Sequence, residues 1–109
     1  PLLAEAARER EERHRRYEQE QAERRERQRQ QEIDHRRWSR FQDHVENWRE
    51  RDRLLAFIEE LRRRLQIEGD ADIEGRPLSD WIVWAEERTH ALDPFQNGLK
   101  GFFETISSA

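Results

Sequence analysis

Residues 33–65 read IDHRRWSRFQDHVENWRERDRLLAFIEELRRRL, and their apolar spacing decides the fold. Trp38, Phe41, Val45, Trp48 and Leu55 recur at three, four, three and seven residues, which sets them on one stripe of an α-helix. Leu54, Ile58, Leu61 and Leu65 form a second stripe, turned on the order of 130° about the axis from the first. The direction changes near Arg49-Glu50-Arg51-Asp52-Arg53. Two accounts fit: the stripes meet different partners, one of them from another chain, or a single small bundle wraps the helix on two sides.

Upstream, residues 4–32 are Glu, Arg, Gln and Ala with Tyr17 as the one large apolar side chain, a composition that favours helix and resists packing. Glu9/Arg13, Glu11/Arg15, Glu12/Arg16, Glu20/Arg24, Glu23/Arg27 and Glu32/Arg36 stand four apart with the acid N-terminal. Each such pair contributes roughly 0.2–0.5 kcal/mol to a helix. The expectation is a charge-stabilised single helix or weak coiled-coil stalk over residues 1–35, against the competing reading of disorder. The coiled-coil version rests on an acid-free seam at 3–4 spacing from Leu3 through Arg10, Tyr17, Arg24 and Gln31 to Trp38. Apart from Pro1, all Gly and Pro lie between Gly69 and Gly101, so no breaker interrupts a helix that over residues 4–66 would reach roughly 95 Å.

Downstream, Glu68 to Pro77 is a Gly- and acid-rich connection, with a new helix expected from Pro77–Asp80, where Ser79 or Asp80 can satisfy free N–H groups. Leu78, Trp81, Trp84, Ala85 and Leu92 line its inner face, Ile82 and Val83 widen it, and Asp93-Pro94 ends it. Leu99, Phe102, Phe103 and Ile106 suggest a short third helix. The expected fold is all-α: a long charged N-terminal helix running into an antiparallel helical hairpin with a short third C-terminal helix. Residues 36–109 then form a small Trp-rich hairpin domain.

With 42% charged residues and a mean hydropathy of -1.33, little material is left for a globular core. The chain has no Cys, which excludes disulfides, thiolate metal sites and cysteine nucleophiles. No apolar run approaches membrane-spanning length, and the start at Pro1 without a signal-like segment reads as a piece of a longer protein. Residues 1–32 balance Arg against Glu, residues 33–66 carry a slight excess of Arg, and residues 67–109 are acidic.

Chemistry-bearing patterns are weak. Glu-x-x-His occurs as Glu11/His14, Glu32/His35 and Glu87/His90, the spacing of bundle di-iron sites, but a Glu-rich sequence produces it cheaply and no apolar wall surrounds His14 or His35. Asp70-Ala71-Asp72-Ile73-Glu74-Gly75 resembles the start of a calcium loop, yet position twelve is Trp81 and Pro77 lies inside it, so an acidic interhelical loop is the better reading. The Ser residues have no nucleophile elbow. These patterns indicate no enzyme, no metal, no cofactor and no small-molecule substrate.

The Glu/Arg-rich helix, then Trp48-Arg49-Glu50-Arg51-Asp52-Arg53-Leu54-Leu55-Ala56-Phe57-Ile58, then Leu78-Ser79-Asp80-Trp81-Ile82-Val83-Trp84-Ala85 and Leu92-Asp93-Pro94-Phe95 resembles the C-terminal region of a group of uncharacterised bacterial proteins. The resemblance implies a bacterial, cytoplasmic setting and a larger domain upstream, and it supplies no site. The functional expectation is a non-catalytic structural and interaction module that contacts a protein or itself as a homodimer through Trp38, Phe41, Val45, Trp48 and Leu55, with no membrane involvement. The alternative is a nucleic-acid-associated region acting through Arg36, Arg37, Arg40, Arg49, Arg51 and Arg53.

Overall fold

The computed structural model describes residues 2–109, and the fold is all-α with one very long helix and a helical hairpin. Helix α1 spans Leu2–Glu68, α2 spans Leu78–His90 and α3 spans Gly98–Ser107. The chain divides into two units, Pro1–Arg36 and Arg37–Ala109, and α1 contributes to both.

The first unit is solvated helix. Among its described side chains only Ala6, Gln21 and Ile33 are less than exposed, so burial does not hold it. Of the six expected ion pairs, Glu11–Arg15 and Glu12–Arg16 approach within 3.8 and 3.9 Å. Arg13 instead turns its Nε toward the Glu9 carbonyl at 3.4 Å. Glu26 takes two partners the sequence reading passed over, Arg29 at 3.3 Å and the Gln30 amide at 3.0 Å. The Gln30 amide and then Arg29 hold the Glu26 carboxyl below its ordinary pKa. Exposed long side chains trade such partners readily because each contact is weak against their rotamer freedom. Local propensity therefore carries this segment as much as any single pair.

In the second unit α1 is the spine. Both apolar stripes are met in part from within the chain: α3 lies against Phe41 of the first and α2 against Ile58 of the second, while Trp38 and Trp48 of the first stay open. Against the first stripe, Phe102 is buried with its ring edge-on to Phe41 at 5.9 Å between centroids and tilted against Phe95 at 5.3 Å. The Arg37 guanidinium donates to the Ser107 carbonyl at 3.4 Å, and His44 Nε2 lies 2.8 Å from Thr105 Oγ1. Thr105 Oγ1 also donates to the Phe102 carbonyl at 2.6 Å. Against the second stripe, Ile58 of α1 and Ile82 of α2 are buried, and Arg62 bonds Glu86 across the two helices. Along α1, Arg37 and then His44 meet Ser107 and then Thr105, and Arg62 meets Glu86 while Leu65 and Glu68 lie beside Leu78 and Trp81, so both short helices run antiparallel to α1.

Between α1 and α2 the chain makes a miniature hairpin that the sequence reading treated as plain connection. Gly69 ends α1 with φ of 84° and donates to the Leu65 carbonyl at 2.9 Å. Strands β1 (Asp72–Ile73) and β2 (Arg76–Pro77) pair antiparallel across Glu74-Gly75, whose φ values of 53° and 73° make the two-residue turn. The cap of α2 also differs from expectation. Neither Ser79 nor Asp80 caps it; the Asp70 carboxylate does so from across the hairpin, accepting from Ser79 Oγ at 2.7 Å, the Ala71 N–H at 2.9 Å and the Ser79 N–H at 3.4 Å. Pro77 occupies the cap position and has no side-chain oxygen, which is why the acceptor comes from elsewhere. The inner face of α2 centres on Ile82 and the buried Thr89, not on Trp84, which is half exposed together with Val83. Thr89 satisfies its hydroxyl on the Ala85 carbonyl at 2.7 Å.

The arm breaks between His90 and Gly98. Asp93 Oδ1 accepts from the Phe95 N–H at 2.9 Å, forming a side-chain turn, and the His90 carbonyl at the end of α2 accepts from both the Asp93 N–H at 3.0 Å and the Gln96 amide. Gly101 is required inside α3, since a Cβ there would stand 2.5 Å from Asn97 Cβ.

Three outcomes are expected. Phe102→Ala removes the buried ring and costs about 3–5 kcal/mol, read as a lowered urea midpoint by tryptophan fluorescence. Gln21→Pro breaks solvated helix and costs about 3 kcal/mol locally, lowering the helical circular dichroism while the urea midpoint of the tryptophan signal stays put. Asp70→Asn lowers the thermal midpoint at neutral pH. Hydrogen bonds, that of Ser79 Oγ foremost, hold the Asp70 carboxyl below its ordinary pKa. Its stabilisation is therefore present above the ordinary carboxylate range and is lost as pH falls through the lowered value, so the gap between wild type and variant closes on acidification.

Candidate interaction surface

The second unit buries only three large apolar side chains, Ile58, Ile82 and Phe102, and leaves most of its aromatics half out. Trp38 is 56% exposed, Trp48 46%, Phe103 52% and Leu99 65%. Two grooves gather this surface. One of about 340 Å³ lies between α1 and α3, walled by Phe41, Val45, Trp48, Phe95, Leu99 and Phe103, with His44 as its only titratable neighbour. The other, of about 410 Å³, lies between α1 and α2, where Leu61, Leu65, Leu78 and Trp81 form the floor and Arg64 and Glu68 stand at the rim.

The two grooves differ in what already covers them. Trp81 donates its indole N–H to the Ile73 carbonyl at 3.3 Å and carries the Arg76 guanidinium 4.6 Å from its ring centroid. Trp84 meets Trp81 edge-on and has Arg88 at 5.8 Å. A guanidinium on an aromatic face satisfies that face electrostatically, so both Trp side chains of the α1/α2 groove already have a cationic neighbour from their own chain. The aromatic rings of the α1/α3 groove have no guanidinium over them. Trp38 lies flat on Phe41 at 5.3 Å, and from Phe41 the aromatic contact continues through Phe102 to Phe103 and Phe95.

Comparison with protein families, with curated proteins and with solved structures finds no match.

Of the five residues expected at an interface, Phe41, Val45 and Leu55 are half-buried, with Phe41 and Val45 facing α3, while Trp38 and Trp48 remain open. Sequence reading missed Phe95, Leu99 and Phe103. The spacing of Leu99 and Phe103 marked a third helix and Phe95 followed the stop at Asp93-Pro94, but which of them face outward depends on where Phe102 anchors that helix.

The arginines of the nucleic-acid alternative are spread among acids. Arg49 lies 3.7 Å from Glu46, Arg51 3.9 Å from Asp52 and Arg53 3.5 Å from Glu50. Arg37 is spent on the Ser107 carbonyl. Arg36 falls in the first unit and Arg40 in the second, both exposed. Binding to phosphate depends on unopposed positive charge, and this set offers little of it. The Arg51 Nε is buried without a hydrogen-bond partner.

Among the described residues no three His, Asp or Glu side chains come together as a metal-holding group. Of the three Glu-x-x-His spacings, that of His14 is drawn elsewhere, to Glu18 at 2.9 Å. The stretch that resembles the start of a calcium loop likewise has its first carboxylate, Asp70, engaged with the start of α2. No described helix is long and apolar enough to cross a membrane.

Replacing Trp48 by Ala removes a side chain whose exposed half contributes nothing to the core, so its cost stays below the range of about 3–5 kcal/mol typical of a buried Trp. Chemical denaturation followed by circular dichroism checks this, because a full-sized loss would mean that Trp48 is core.

Proposed function

We propose that this chain is a non-catalytic structural and interaction module, in which the charged helix of residues 2–36 spaces or pairs what it is attached to and the aromatic hairpin unit makes a protein contact. The observation that carries this reading is the aromatic surface along α1 and α3, with Trp38, Leu99 and Phe103 more than half exposed and Trp48 nearly so beside a core of three side chains. Exposed aromatics of this number cost solubility unless something covers them, and Trp is the side chain that most often anchors protein contacts. The solvated first unit supports the spacer role because it holds helix without needing a partner surface. The bacterial, cytoplasmic setting implied by the sequence resemblance belongs to the same reading.

A photo-cross-linking side chain at Leu99, in the full chain inside cells of its source, is expected to form adducts with protein, and one at Tyr17 few or none. Absence of protein adducts at Leu99 would overturn the module reading. Adducts between Arg40 and nucleic acid, weakening steeply with salt, would favour the arginine alternative instead.

A further inference from the structure

We infer that the occupant of the α1/α3 aromatic groove is a second copy of this chain, joined through the same face of each. The inference rests on the module reading and names its partner. Area is the first argument. A large aromatic side chain presents about 200 Å², so half exposure of Trp38, Trp48, Phe95 and Phe103 with most of Leu99 leaves about 500 Å² of apolar surface per chain. Two copies face to face would bury about 1,000 Å² of it. A stable interface of standard size buries about 1,600 Å² in total, of which about 60% is apolar, so the paired patches supply the apolar share of one such interface.

Charge is the second. In a chain with 42% charged residues, the walls of this groove carry no Asp, Glu, Lys or Arg. A partner selected by charge would have nothing here to read, whereas the same face from another copy brings no unpaired charge into the buried centre. The α1/α2 groove lacks this property, with Arg64 and Glu68 at its rim and guanidinium groups over Trp81 and Trp84.

Shape is the third. A two-fold pair uses one surface twice, so that surface must hold both a projection and a recess. Here the ridge of Trp38 stacked on Phe41 stands beside the recess of about 340 Å³ that Trp48, Phe95 and Leu99 enclose. The need is set by the small core, because a unit of this size with three buried apolar side chains gains much of its stability from association.

The test is the mass of the full purified chain in solution by sedimentation and light scattering. Wild type is expected at twice the 13.5 kDa of one chain at micromolar concentration. Leu99→Glu combined with Phe103→Glu, both at exposed positions, is expected to raise the dissociation constant about 100-fold with circular dichroism unchanged. Trp38→Ser gives the same readout if the double variant loses helix. Val83→Glu, on the α2 side, is expected to leave the doubled mass intact. A single-chain mass for wild type at high micromolar concentration overturns the inference, whatever else then fills the groove. So does a doubled mass that survives Leu99→Glu with Phe103→Glu and Trp38→Ser. A single-chain mass together with Leu99 adducts to a different protein removes only the second copy, whereas no adducts at all removes the module reading as well.

Discussion

The structure depends on a turn in direction along one helix. The apolar stripe of α1 moves around the axis between Trp48 and Leu54, and a straight partner helix could cover one half of it only. The return arm is accordingly broken. α2 lies on Ile58 and its neighbours, α3 lies on Phe41 and its neighbours, and the segment from Ala91 to Asn97 carries the change of direction. Asp93, Pro94, Gln96 and Gly98 make that break affordable in hydrogen-bond terms, since each free end finds an acceptor or donor nearby.

A broken arm of two short helices has consequences for burial. Each piece presents only two or three turns to α1, so each centres on one or two side chains, Ile82 with Thr89 in α2 and Phe102 in α3. The rest of the aromatic complement is left at the edges of the contact. The groove between α1 and α3 is the space a longer or bulkier arm would have filled. The same geometry that completes the fold thus produces the exposed surface from which the functional proposal is drawn.

The two units are stabilised by different physics. In residues 2–36 the terms are helix propensity and weak exposed pairs, such as Glu11–Arg15 and Glu26–Arg29, sensitive to salt and individually replaceable. In residues 37–109 a few buried contacts matter greatly, and the polar groups around them are spent on fixing helix ends. Asp70 on the start of α2 and Gln96 on its end are the clearest cases.

The sequence by itself determined the helices, because their signals are local: 3–4 apolar spacing, acid-before-Arg pairs at four residues, Gly69 as a stop and Pro77 as a start. It also showed two stripes on α1 and named Trp38 and Trp48 as surface candidates. Only the tertiary structure decided that α2 and α3 each take one stripe and leave Trp38 and Trp48 open, that Asp70 rather than Ser79 or Asp80 caps α2, and that Trp84 turns outward while Ile82 turns in. Those outcomes depend on contacts between residues distant in sequence, and neither periodicity nor capping preference carries information about which distant group arrives. Phe95, Leu99 and Phe103 join the exposed face for the same reason, since their orientation follows from where Phe102 meets Phe41.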